Sequence, residues 1–125
     1  MQFTYEQVLQ VVEELKIAKL QAADLSATIT LERHELDVIK AKIERGLIRK
    51  VGGEKKLAPT VEDRERIFIV ACDADGDYKR RWKALHDKRL TSARSQIEIE
   101  ALDDKLKIMM EALQSEQHDQ DTQQD

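Results

Sequence analysis

Apolar residues recur along the first forty-odd positions with a period of seven. Val8, Leu15, Ala22, Ile29, Leu36 and Ile43 mark one position of the repeat, and Val11, Ala18, Leu25, Glu32, Ile39 and Gly46 mark the other. A period of 3.5 keeps one stripe facing a partner helix along its whole length, so this pattern predicts a long helix with a coiled-coil seam. Its start is well marked. Thr4 and Gln7 have the spacing of a capping box, and Phe3 and Val8 stand where a hydrophobic staple places its two residues. If helical from Tyr5 to Arg45, the segment is about 60 Å long at 1.5 Å per residue.

Gly46, Gly52, Gly53 and Pro59 then interrupt the pattern. The first helix is expected over 4–46, with Gly46 as its terminator, and a loop over 47–59. Within that loop Leu47 to Val51, Gly52-Gly53 and Glu54 to Leu57 fit either an irregular connection or a small two-residue hairpin. Thr60, followed by Glu62 and Asp63, restarts a short helix over 60–74, buried through Ile67, Phe68, Val70 and Ala71. Asp75-Gly76 ends it, and Asp77 caps a last helix over 77–113.

That last helix reads less cleanly. Tyr78, Trp82, Leu85, Leu90, Ala93 and Ile97 give way to Ile99, Leu102, Leu106, Met109 and Leu113, so the register slips where the seam crosses Thr91, Ser92 and Ser95. From 114 to 125 the chain contains only one aliphatic-free run of Gln, Asp, Ser, Glu, His and Thr, a composition of disordered tails. The elements assemble most simply as an all-α fold. Residues 1–113 form a long antiparallel helical hairpin with the short helix and loop at its tip, followed by the polar tail. Leu20, Leu31 and Val38 lie off the seam, and a homodimer closing into a four-helix arrangement would cover them.

Composition strengthens the helical reading. Charged residues make up 37% of the 125 and aromatic ones 4%, too few large side chains for a compact globule but enough for narrow helical stripes. Cys72 is the only cysteine, the N-terminal residues lack the basic and apolar segments of a signal peptide, and the run Ile67 to Cys72 is too short to span a bilayer. A cytoplasmic protein is expected. Its charge is segregated: residues 40–94 hold 16 Lys and Arg against 9 Asp and Glu, a net of +7, while the rest carries a net of −11.

Catalytic and metal-binding patterns break off before they are complete. Asp73, Asp75 and Asp77 alternate as at the start of a calcium loop, but the required Gly and bidentate Glu are replaced by Tyr78 and Ala84. His34-Glu35 opens like a helical zinc motif, yet Val38 stands where the second His belongs. Gly46, Gly52 and Gly53 precede no Lys-Ser or Lys-Thr, and Cys72 lies in an apolar run without an adjacent base. No enzyme, cofactor or metal is expected. Contact chemistry is carried by cations instead: Arg49, Lys50, Lys55 and Lys56 in the loop, with Lys79, Arg80, Arg81 and Lys83 at the start of the last helix, are expected to converge at the tip, either as a solvated surface balanced by Asp73, Asp75 and Asp77 or as a surface for phosphates. Trp82 is expected beneath it as a core residue packed by Ile67 and Phe68, and only secondarily as a base-stacking platform.

From Leu57 to Leu113, with the loop residues Gly53, Lys55 and Lys56, then Arg64, then Asp75 and Tyr78, then the helix of Leu102 and Leu106, the chain resembles small uncharacterised bacteriophage coiled-coil proteins. Pro59-Thr60 stands where that group has an Asn. The resemblance implies an accessory encoded near DNA recombination or replication genes, contacting nucleic acid or a DNA-processing protein. The alternative is a protein-only adaptor or inhibitor that binds its partner through a helical face.

Overall fold

A computed structural model describes residues 3–124, and side chains from Phe3 to His118. It is all-α. Helix α1 spans Tyr5–Val51, α2 Glu54–Leu57, α3 Val61–Ala74 and α4 Gly76–Gln124, with no strand among the described residues. The chain forms two compact units: unit 1 comprises Met1–Ser26 with Thr91–Asp125, and unit 2 comprises Ala27–Leu90.

Unit 1 packs the first turns of α1 on α4. Thr4 N–H donates to Gln7 Oε1 at 2.9 Å and Gln7 N–H donates to Thr4 Oγ1 at 3.1 Å, the reciprocal pair of the capping box. Phe3 and Leu102, Leu106 and Leu113 pack around Val8, Val11 and Met109, so the staple and the heptad seam meet in one cluster. Each residue at the two repeat positions from Val8 to Ile43 is buried or half-buried, whereas Leu9, Val12, Ile17, Leu20, Leu31 and Val38 are exposed. The seam carries on through α4 without the expected slip. Leu85, Lys88, Ser92, Ser95, Ile99, Leu102, Leu106, Met109 and Leu113 are buried or half-buried at uninterrupted 3-4 spacing, and Trp82, Leu90, Ala93 and Ile97 lie outside it.

Unit 2 holds the middle of α1, all of α2 and α3, and the start of α4. Ion pairs from Glu32 to Lys88 and from Glu35 to Arg81 show α1 and α4 running antiparallel here, since the partner number falls as the α1 number rises. Gly46 does not end α1. The helix continues to Val51 and stops at Gly52 and Gly53, whose φ of 88° and 143° favour glycine, with both N–H groups on the Ile48 carbonyl. Residues 47–57 are thus neither hairpin nor irregular loop but helix, two glycines and the single turn of α2.

Thr60 caps α3 as expected, its Oγ1 accepting from Asp63 N–H at 3.1 Å. The Arg64 guanidinium donates to the Ala58 carbonyl at 3.1 Å and ties the connection down. Cys72 is buried and Ile67, Phe68 and Ala71 are half-buried, but Val70 faces solvent: the covered stripe is centred on Phe68 and Cys72, four positions apart. Asp75, not Asp77, caps α4: its Oδ1 accepts from Tyr78 N–H at 2.9 Å, while its own N–H reaches the Cys72 carbonyl at 3.1 Å. One residue therefore closes one helix and opens the next. Past Leu113 α4 continues as helix to Gln124 over residues expected to form the tail, and Asp125 lies outside the described residues.

Candidate functional site

Both cationic groups lie in unit 2. Arg49 and Lys50 occupy the last turn of α1, where positive charge complements the helix dipole, and Lys55 and Lys56 lie on α2. All four are exposed. Lys79, Arg80, Arg81 and Lys83 occupy the first turns of α4, where the dipole disfavours cations and nearby carboxylates offset the mismatch. Asp77 lies 3.8 Å from Arg80 and 3.4 Å from Arg81, and Arg81 also reaches Glu35 of α1 at 3.3 Å. Arg80 further donates from Nε to the Gly76 carbonyl at 3.2 Å. Lys79 and Lys83 are exposed and make no such ion pair among the described residues.

These groups do not merge into one patch. Lys40 of α1 lines the same cleft as Tyr78 and Lys79, and α1 then continues nine residues to Arg49, about 14 Å at 1.5 Å per residue. Along that stretch Glu44 and Ile48 face Val61, Arg64 and Phe68 across a second cleft, so α3 stands between the two cationic groups.

The clefts differ in character. The one beside α3 and α2, about 490 Å³, carries Glu44, Glu54 and Glu65 against Lys40 and Arg64, a balance that repels anions. The other, about 510 Å³, opens among α1, α3 and α4: Ile69, Cys72, Tyr78 and Trp82 form its apolar wall, and Lys40, Lys79 and Asp73 contribute its charges. Trp82 is half exposed at 50%, not a core residue as expected, because it stands one position off the α4 seam. Its ring stacks on His86 at 5.2 Å and 6°, one helical turn away. Of the two expectations for Trp82, its exposure leaves the lesser one, a stacking surface within a cationic region; Lys40 was not among the expected cations, although it opens the basic segment.

Cys72 is 3% exposed, and burial pushes its thiol above the ordinary value, with Lys40 opposing and Glu44, Asp73 and Asp75 reinforcing. Tyr78 is likewise pushed up, chiefly by burial and then by Cys72. A thiol held in its protonated form is the reverse of an activated nucleophile. Asp75 is committed to capping and Asp77 to arginines, and no cluster of three His, Cys, Asp or Glu able to hold a metal ion occurs among the described residues. No described helix is long and apolar enough to cross a membrane. Comparison with protein-family models, with curated proteins and with solved structures finds no match for this chain.

Proposed function

We propose that this chain is a non-enzymatic helical interaction protein, an accessory of the bacteriophage type, that contacts nucleic acid through the cations of unit 2 and assembles as a homodimer of helical hairpins. The observation that carries the reading is the half-exposed Trp82 and its His86 stack beside the exposed Lys79 and Lys83, which make no ion pair among the described residues. Cations without internal partners are available to displace counterions from phosphates, and an exposed aromatic ring accepts any base. Charge follows the division of the fold: residues 27–90 hold 16 Lys and Arg against 12 Asp and Glu, a net of +4, and the remainder a net of −8.

Fluorescence anisotropy at low salt tests it. A labelled oligonucleotide should bind with sequence-tolerant affinity that falls steeply as salt rises. Replacing Lys79 and Lys83 by Glu should weaken binding without loss of helicity, and replacing Lys55 and Lys56 should weaken it less. Arg80 and Arg81, already engaged by carboxylates, should matter least. Absence of binding to single strands, duplex DNA and RNA would end the nucleic-acid reading in favour of a protein partner. That second reading has its own support in the exposed Leu31 and Val38 of unit 2, which lie off the seam and suit a helical partner.

A further inference from the structure

We infer that the cleft walled by Ile69, Cys72 and Trp82 seats one unstacked base of a single-stranded nucleic acid, with Lys79 and Lys40 meeting its flanking phosphates. The inference rests on the nucleic-acid reading above and specifies its ligand. At about 510 Å³ the cleft has the size of a small-molecule site, and its apolar wall gives a base a place to lose water. Trp82 has one ring face against His86 and half its surface exposed, so it stacks a base without rearranging the core. Among the described residues Lys79 makes no ion pair, and Lys40 meets half-buried Glu44 at 3.9 Å, a contact long enough that a phosphate replaces it at little cost. Asp73 on the lining repels phosphate, which directs the backbone toward the lysines. The neighbouring cleft, with its three glutamates, offers no equivalent seat.

A duplex keeps its bases paired and stacked, so only its phosphates are presented to the lysines; a single strand can place a base in the cleft as well. Preference for single strands is the consequence.

Trp82 is the chain's only tryptophan, so its emission reports on this cleft alone. Oligothymidylate and a duplex of equal length are titrated into the full-length protein while Trp82 fluorescence and the anisotropy of a label on the oligonucleotide are followed together. Oligothymidylate should quench Trp82 with the midpoint seen by anisotropy, and the duplex should bind more weakly without quenching. Trp82→Ala should weaken single-strand binding roughly ten-fold and leave duplex binding unchanged, with Trp82→Phe restoring most of the loss. Replacing Lys40 and Lys79 together by Ala should flatten the salt dependence by about 0.7 per lysine. Single-strand binding that leaves Trp82 emission untouched, or equal quenching by duplex, would overturn the base seat while leaving the nucleic-acid reading intact. Failure of every oligonucleotide to bind would overturn both. Should Trp82→Ala lose its helical melting transition, the quenching titration on the unaltered chain and the Trp82→Phe variant decide the matter.

Discussion

Gly46 has a helical backbone, and nothing lies within 4 Å of the point where a side chain would begin. Replacing it with Ala removes a flexible residue from the interior of α1 without a clash. Gly46→Ala should stabilise the protein by about 0.5–1 kcal/mol in urea denaturation. Gly52→Ala should do the opposite, because φ of 88° strains an L side chain. Cys72 and Tyr78 add a pH dependence. Their ordinary values are near 9.0 and 10.0, and both are raised in the fold, chiefly by burial. Below the unfolded values both states hold the protons, and this contribution is fully present. As pH rises from there toward the folded values, the unfolded chain loses its protons first, and stability falls. The urea midpoint should therefore stay level near neutrality and drop above about pH 9, and Cys72→Ala should delay the drop. An equally early fall in that variant would remove the thiol from the explanation.

Helices interact here through their seams, and the two seams are not equally legible in sequence. In α1 every seam residue except Glu32 and Gly46 is apolar, so period seven is visible directly. In α4 the seam passes through Lys88, Ser92 and Ser95 while apolar Trp82, Leu90 and Ile97 lie outside it, so hydrophobicity points to the wrong face. The caps divide similarly: Thr4 and Thr60 stand alone before their helices, but three alternating aspartates leave the choice of Asp75 over Asp77 to geometry. The cations of the candidate site were readable; that Glu35, 46 positions away, engages Arg81 was not. Glu32 and Lys88 make the polar layer informative. They pair across the seam with side chains only 28% and 36% exposed, a position where a charge pair fixes which residues face each other. Glu32→Leu or Lys88→Leu alone should each cost roughly 1 kcal/mol, between the range of exposed and buried pairs. The double Leu variant should recover that loss or exceed the parent, since the replaced layer is then apolar on both sides. A double-mutant cycle in urea measures the coupling; additive single effects would show that the two charges do not act on one another.

At the scale of the whole molecule, the outstanding physical question is what covers the apolar positions that point away from the seams. Within unit 1 these include Leu9, Val12, Ile17 and Leu20 of α1, with Leu20 60% exposed, and Ile97, Ile108 and Met110 of α4, with Ile97 66% exposed. Such residues scattered singly need no explanation, but here they recur along two packed helices. A second copy of the chain would bury them around a two-fold axis, adding two helices to the two that are present. The net charge of −8 on unit 1 opposes the approach of two such units side by side, so the apolar contact must outweigh that repulsion, and added salt should strengthen the association by screening it. Light scattering after gel filtration should give twice the chain mass of 14.4 kDa, with the dimer persisting to lower protein concentration as salt is raised. Leu20→Glu and Ile97→Glu place charge on exposed positions and leave the seam intact, so each should shift the mass toward the monomer without lowering helicity. A monomer at high micromolar concentration in high salt would show that these residues face solvent or a different protein. Dissociation caused instead by raising salt would place the contact on the opposite charges of units 1 and 2, with an acidic unit of one copy meeting the basic unit of the other.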